Sequence, residues 1–320
     1  MSTTPSTSKP EIAYTVFGGA QKARIHKDPY PLCIVVLHRQ GRLHRDSALL
    51  ELTKNPDYEV ISVEDPEAAP EIDSLVKKYP HVRFLLLQSQ LTAGEKLNLV
   101  MDEAESKHVL AIWSDIHAPA SSLSLRILEK IIQRDFLCAT PVLKTQKLET
   151  VPTVQVPAFT GHRLKILPWN PLHDGMKSVF PYDFTGIYSR EKFRFCGGFD
   201  HRIKSPYWQM ADFGFRSFLW GEEISVTTSL YFQYRDETPL LDHTPDTGYK
   251  LFYLKNMSID FRNDRGILSI RRFPGYLLKS GTSFLRALHE FRDVQKWVGL
   301  RKYRYKLDAR SLVDLWEPPE

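Results

Sequence analysis

The first third of the chain alternates short apolar stretches with helical patterns, and this alternation limits the possible folds more than any other feature. The patterns predict strands over 32–37, 58–63, 82–87 and 109–113, separated by helices over 42–54, 71–78 and 95–105. Strands that alternate with helices form βαβ units, in which the strands are parallel and the helices cover both faces of the sheet. The sequence therefore predicts an α/β fold with a mostly parallel sheet flanked by helices.

The fourth predicted strand leads directly into Ser114, Asp115 and His117. In an extended chain, residues two apart point to the same side, so the acid and the imidazole are placed to face one small ligand or ion. Ligands of open α/β sheets bind at the carboxyl ends of the strands, which is where this pair lies. The alternative stays open that the strand ends in polar residues simply because it has reached solvent.

The other predicted strands also end in polar residues. His38 and Arg39 follow the first strand, and Glu64 and Asp65 follow the second. An isolated pair of acids after a strand is most often a turn or helix-capping feature. Several polar strand ends at one edge of a sheet, however, favour a shared binding site.

The composition is that of an ordinary globular protein, with 42% hydrophobic and 25% charged residues in a chain of 320. Cys33, Cys138 and Cys196 are widely spaced and odd in number, so neither a disulfide framework nor a zinc site is indicated and a reducing compartment fits best. We find neither a signal-peptide pattern at the start nor an apolar stretch near the ~20 residues that a bilayer span requires. The sequence therefore predicts a cytoplasmic protein, soluble or peripheral to a membrane.

The end of the chain is strongly basic. Residues 262–306 contain twelve Lys and Arg against three Asp and Glu, and apolar residues recur there at helical spacing between 284 and 298. A basic amphipathic helix can lie on an anionic membrane surface, which is one interpretation of the pattern. The other is a helix that packs its apolar stripe on the sheet and exposes its charges. Nucleic-acid binding is disfavoured, because no basic-aromatic motif accompanies the charge.

The order of these segments resembles the nucleotide-sugar-binding half of GT-A glycosyltransferases, and most closely the large family-2-like group that includes bacterial glycan-assembling enzymes. The segments 184–190 and 196–200, with a Gly-Gly-Phe-Asp run, resemble the acceptor side of that family, and 208–216 resembles its acidic helix in spacing. The similarity spans roughly 32–235. It implies a Rossmann-related GT-A-like domain over 31–255, a flexible segment over 1–30 and a basic, largely helical extension over 256–320.

The resemblance implies transfer of a sugar from a nucleotide-sugar donor to a glycan or a lipid-linked acceptor. Carboxylates accept hydrogen bonds from a base N–H or from ribose hydroxyls, and a lysine pairs with phosphate as a point charge. The residues expected to bind the nucleotide sugar are His38, Arg39, Glu64, Asp65, Lys96, Asn98 and Ser114.

The resemblance also implies a metal ion. Asp115-Ile116-His117 departs from the common Asp-x-Asp motif but is similar to the Asp-x-His variant of polypeptide N-acetylgalactosaminyltransferases, in which a second, downstream histidine completes the site. The resemblance implies His243 as that second histidine, although it lies further from the helix than in those enzymes. Mn²⁺ or Mg²⁺ is therefore the expected cofactor, and an imidazole ligand favours Mn²⁺.

The catalytic base is less clear from the resemblance. Inverting members of the family carry Glu-Asp at the start of the acidic helix, whereas this chain has Gln209 and Met210, and neither can accept a proton from an acceptor hydroxyl. Asp212 and Asp200 are the remaining candidates, and a retaining mechanism stays open. Two further alternatives are a non-catalytic protein that binds sugar nucleotides or glycans, and a sugar nucleotidyltransferase.

Overall fold

The computed structural model describes residues 12–20, 30–39, 41–54, 57–160 and 163–316. The strands are β1 Tyr14–Gly18, β2 Cys33–Leu37, β3 Glu59–Glu64, β4 Arg83–Leu87, β5 His108–Trp113, β6 Ile116–His117, β7 Cys138–Lys144, β8 Val154–Thr160, β9 Arg163–Trp169, β10 Gly186–Ser189, β11 Ile224–Tyr234, β12 Asp260–Arg262 and β13 Arg265–Ile267. The α-helices are α1 Arg45–Leu52, α2 Ile72–Lys78, α3 Ala93–Glu103, α4 Leu125–Ile132, α5 Arg190–Phe195, α6 Pro206–Leu219, α7 Thr247–Phe252, α8 Phe273–Ser280, α9 Phe284–Arg301 and α10 Ala309–Asp314.

A mixed sheet forms the centre of the molecule. Within the described residues its strand order is β1-β4-β3-β2-β5-β10-β7-β11-β6. The strands β4, β3, β2 and β5 are parallel to one another, while β10 is antiparallel between β5 and β7. The predicted α/β class with a mostly parallel sheet flanked by helices is confirmed.

The central strands form because both of their faces are covered by helices. Every residue of β2 and of β3 is buried, as expected for parallel strands rich in Val, Ile and Leu. The helix α3 begins at a capping box, in which the Thr92 side chain accepts from the Glu95 backbone N–H and the Glu95 carboxylate accepts from the Thr92 N–H. This box fixes the start of α3 beside the strand ends.

The amino-terminal segment differs from the expectation of flexibility over 1–30. Residues Tyr14–Gly18 form the edge strand β1, which pairs antiparallel with β4. The Tyr14 hydroxyl donates to Glu103 Oε1 at 2.7 Å, which attaches this strand to α3. Residues 1–11 and 21–29 lie outside the described part of the chain.

The basic carboxyl-terminal segment contains the helical hairpin α8–α9. The apolar stripe of α9, with Phe291 at its centre, is buried against the body of the protein, and the Phe291 ring lies 5.4 Å from that of Phe273. The Trp297 ring stacks on Trp220 at 5.9 Å. This packing agrees with the second interpretation of the basic helix. Membrane contact stays a prediction, and the exposed Leu278 and Leu285 near the hairpin turn are the apolar residues it would use.

No described helix is both long enough and apolar enough to cross a bilayer. The three cysteines are buried, free thiols.

Candidate functional site

A cavity of about 720 Å³ opens at the carboxyl ends of β2 and β3, next to the start of α3. This is the edge of the sheet that the sequence predicted. Three positively charged side chains line it, together with two acids and several polar or apolar groups: Arg39, Arg42, Lys96, Asp65, Glu67, His38, Gly41, Gln90, Leu91, Ala93 and Trp113. Its size suits a small-molecule ligand, and its charge suits an anionic one.

A cluster of buried polar side chains supports this edge of the sheet. His38 Nε2 lies 2.8 Å from Ser62 Oγ and 3.2 Å from Glu64 Oε1, and Arg45 Nη1 lies 3.2 Å from Glu64 Oε2. Burial alone raises the pKa of Glu64, but the hydrogen bond and charge of His38 outweigh it, with help from Ser62 and Arg45, and lower that pKa to about 2. Because Glu64 is fully buried and held on both oxygens, it supports the site and does not face a ligand.

Asp65, which directly follows β3, lines the cavity. Lys96 Nζ lies 2.7 Å from Asp65 Oδ1, and both side chains line the cavity. Asn98 and Ser114 do not line it. The Asn98 amide exchanges two hydrogen bonds with the backbone of Phe199, at 2.8 and 2.9 Å, and thereby joins α3 to the 196–200 segment. Ser114 is buried, and its N–H donates to the Leu37 carbonyl at 2.9 Å.

Arg39 joins two acids that are far apart in the chain. Its Nε donates to Asp115 Oδ2 at 2.6 Å, and its Nη2 donates to Asp183 Oδ2 at 2.5 Å. The guanidinium carbon lies 4.2 Å from the centre of the Trp113 ring. Tyr234 Oη also donates to Asp183 Oδ2, at 2.9 Å. The carboxylates of Asp115 and Asp183 thus fix the arginine at the carboxyl end of β2.

The backbone of Asp183 and Phe184 is strained. Both residues have positive φ angles, 53° and 59°, which L side chains rarely adopt. Burial raises the pKa of Asp183 to about 6, although the charge of Arg39 acts in the opposite direction. Such strain is common at functional sites, and this turn places the Asp183 carboxylate on Arg39.

The predicted metal ligands do not come together. His117 Nδ1 lies 2.8 Å from Glu51 Oε1 on α1, and the exposed His243 lies beside the Tyr207 ring at 6.1 Å. The second Asp115 oxygen, Oδ1, is buried without a hydrogen-bond partner among the described residues. No group of three or more metal-ligating His, Cys, Asp or Glu side chains forms within the described residues. In this arrangement the donor set does not fit a divalent metal ion.

The predicted catalytic acid Asp212 lies in the interior of the protein. Lys255 Nζ donates to its Oδ2 at 2.7 Å, Asn256 Nδ2 donates to its Oδ1 at 2.9 Å, and Arg216 also pairs with it. A general base must come within hydrogen-bond reach of the acceptor hydroxyl. The fully buried Asp212 carboxylate does not meet this condition, and the structure gives it a structural role instead.

Asp200 is the second predicted acid and belongs to the same ion-pair network. Its Oδ2 accepts from Lys255 Nζ at 3.0 Å and from Arg202 Nη2 at 2.7 Å. Burial opposes its ionisation, but the charge of Lys255 and the hydrogen bonds from Arg202 hold the pKa of Asp200 well below its usual range. A carboxylate with so low a pKa is a weak base.

Gln209 and Met210, which replace the expected acids, are packing residues. The Gln209 amide donates to Thr92 Oγ1 at 3.0 Å and accepts from the Gly94 N–H at 3.2 Å, so it joins α6 to the start of α3. Met210 Sδ lies 3.3 Å from the Phe184 backbone nitrogen. Both residues position neighbouring elements of the site.

Sequence reasoning missed Asp183, Lys255 and Asn256. The acceptor-side segment of the resemblance begins at Phe184, one residue beyond Asp183, and no spacing rule pairs that acid with Arg39. Lys255 and Asn256 lie in a π-helical turn, Tyr253–Met257, which no periodic pattern indicates. The one available signal was weak: Lys255 directly follows the apolar and aromatic run 251–254.

Comparison with solved structures found a similar architecture in GalNAc-T7, crystallised with UDP, GalNAc and Mn²⁺. The TM-score is 0.58 and the identity 12%, over 90% of this chain and 58% of that chain. The chain has the GT-A glycosyltransferase fold. It spans less than two thirds of the length of GalNAc-T7, and at this identity the likeness concerns the fold alone.

Residues 1–349 of TarS from S. aureus, in complex with UDP-GlcNAc, align with a TM-score of 0.49 and 13% identity, over 82% of this chain and 70% of that chain. Comparison with protein-family models found no match, and neither did comparison with curated proteins.

Proposed function

We propose that this chain is a glycosyltransferase that takes a sugar from a nucleotide-sugar donor bound in the cavity at the carboxyl ends of β2 and β3. The observation that carries the proposal is the cluster of Arg39, Arg42 and Lys96 around one cavity of a GT-A fold. A nucleotide sugar carries a diphosphate, and fixed cations at a concave site attract such an anion and hold it. The proposed donor is a nucleotide sugar that carries a hexose. The proposed acceptor is a glycan or a lipid-linked molecule, as the resemblance implies.

The cavity residues take different parts in this proposal. Lys96 and the arginines contact the diphosphate, while the partly exposed Asp65 accepts hydrogen bonds from the ribose or the base. Glu64 contacts neither, because His38, Ser62 and Arg45 already hold it.

The proposed reaction forms one bond and breaks one. The acceptor hydroxyl oxygen bonds to the anomeric carbon, and the bond from that carbon to the β-phosphate oxygen breaks with its electron pair on the oxygen. The nucleoside diphosphate leaves, and its departing phosphate oxygen takes up the proton of the acceptor hydroxyl. Positive charge beside the diphosphate stabilises the charge that develops on the leaving oxygen. Neither Asp212 nor Asp200 is assigned as the base, because Asp212 is fully buried and the pKa of Asp200 is well below its usual range.

A non-catalytic sugar-nucleotide-binding protein is the second candidate. It is favoured by one observation, since Gln209 and Met210 occupy the positions of the expected acids and are used for packing. This candidate predicts the same ligand in the same cavity but no turnover.

Binding of the donor nucleotide tests both candidates against an unrelated function. We expect at least one of UDP, GDP, CDP and ADP to raise the midpoint of thermal unfolding by about 5 °C at saturation, because a ligand that binds only the folded state stabilises it. Lys96→Met is expected to weaken this binding about 10-fold, which is typical for the loss of one charged contact.

Lys78→Met is the matched control. Lys78 is also paired with an aspartate, Asp46 at 3.2 Å, but lies on α2 and does not line the cavity. Its variant is expected to bind like the wild type. If none of the four nucleotides stabilises the protein, or if Lys96→Met and Lys78→Met bind equally well, the cavity is not the donor site.

A further inference from the structure

Arg39 is held as a fixed cation inside the proposed donor cavity. Asp115 and Asp183 accept from its Nε and Nη2, and the Trp113 ring covers one face of the guanidinium. Among the described residues, no acceptor binds its Nη1, and about a third of the side chain, 32%, is exposed. The cation is therefore rigid but still open to a ligand.

The same geometry leaves little room for a divalent ion on Asp115. The guanidinium already occupies one oxygen of that carboxylate at 2.6 Å, and an ion on the other oxygen would lie close to a like charge. His117 is directed to Glu51 and does not offset this repulsion. A guanidinium stays protonated at every pH in the working range and matches phosphate oxygens with two donors.

We propose that the Arg39 guanidinium provides the positive charge that binds the donor diphosphate, so that this chain binds nucleoside diphosphates without a divalent metal ion. Asp115 and Asp183 are then positioning residues that orient the cation, and they are not metal ligands. Lys96 and Arg42 line the same cavity and add to the charge around the diphosphate. The inference rests on the proposed function, because it concerns how the donor is held.

The test is the affinity for UDP, GDP, CDP and ADP and for the four monophosphates, measured by isothermal titration calorimetry in EDTA and again with Mn²⁺. For the wild type we expect similar diphosphate affinity in both buffers, and clear preference for diphosphate over monophosphate in EDTA. Arg39→Met should weaken diphosphate binding in EDTA roughly 10- to 100-fold, as expected when a charged hydrogen bond is lost, and should reduce this preference.

Two further variants separate binding from folding. Arg39→Lys keeps the charge but loses the planar fork, so we expect an affinity between those of the wild type and Arg39→Met. Arg134→Met removes an arginine that is paired with Asp174 at 2.5 Å on the surface outside the cavity, and it should bind like the wild type. Circular dichroism of each variant checks that it is folded.

The possible results separate a failure of the inference from a failure of the proposed function. Diphosphate binding that needs Mn²⁺ in the wild type, or that is unchanged in folded Arg39→Met, overturns the role of Arg39 while the donor cavity stands. If Arg39→Met does not fold, weaker binding by Arg39→Lys in EDTA supports the inference, and unchanged binding contradicts it. Absence of nucleotide binding in both buffers overturns the inference together with the proposed function.

Discussion

Asp212→Asn is expected to lower the free energy of unfolding by about 3–5 kcal/mol, the usual cost of removing one partner from a buried ion pair. The substitution keeps the size of the side chain but leaves Lys255 and Arg216 buried with one negative charge fewer. Burial already lowers the pKa of Lys255, and the charges of Asp200 and Asp212 oppose that shift. Urea unfolding followed by circular dichroism measures the loss.

The exposed Asp242 provides the control, because its carboxylate accepts from the Thr244 N–H at 2.9 Å without entering the network. Asp242→Asn should leave the unfolding free energy unchanged. A double variant of Asp212→Asn with Lys255→Met should cost less than the sum of the single changes, since it removes both charges of one pair. An Asp212→Asn protein with wild-type stability and turnover reduced ~10²–10⁴-fold would instead identify Asp212 as a catalytic base.

Gly214→Ala is expected to destabilise the protein by about 3 kcal/mol or more. This glycine lies on α6 where the helix passes the backbone of the preceding segment, and a Cβ added there would lie 1.8 Å from the Val179 carbonyl oxygen. A backbone atom cannot move aside as a flexible side chain can, so α6 or the 179–180 segment must shift. Because α6 also holds Gln209 against α3, we expect weaker nucleotide binding in any folded fraction.

The matched control is Gly299→Ala. Gly299 also lies within a helix, α9, but apart from its chain neighbours and the backbone of that helix, no atom of the described residues lies within 4 Å of the position that its Cβ would occupy. Alanine has the higher helix propensity, so this variant should be neutral or up to about 1 kcal/mol more stable. Thermal unfolding of the two variants side by side makes the comparison. Equal midpoints for the two would show that α6 is not packed as closely as described.

The sheet was predictable from the sequence because the central strands are buried on both faces. Such strands consist of uninterrupted apolar residues, as in β2 and in residues 109–113 of β5, and their polar ends meet at one edge by the geometry of parallel strands. His38, Arg39, Asp65 and Lys96 line the cavity at this edge, and their part in binding a nucleotide sugar stays a prediction.

The pairing of Arg39 with Asp183 was not predictable. The two residues are 144 positions apart, and they meet only because β10 inserts antiparallel beside β5. The predicted Asp115 and His117 pair failed for a local reason. Residues 114 and 115 form a turn, so the rule for an extended chain does not apply, and His117 instead faces α1 from the short strand β6. The burial of Asp212 depends on the π-helical turn that carries Lys255, and no sequence pattern predicts that turn.

Release of nucleoside diphosphate from nucleotide sugars tests the central claim most directly. Purified protein is incubated with each nucleotide sugar whose diphosphate binds, with and without a mixture of glycan acceptors, and the released diphosphate is quantified. We expect diphosphate release from at least one donor, faster release when an acceptor is present, and release that is about 10-fold or more slower in Lys96→Met than in Lys78→Met. If the wild type binds a nucleotide sugar in this cavity and releases no diphosphate under any of these conditions, the chain is a binding protein and not a transferase.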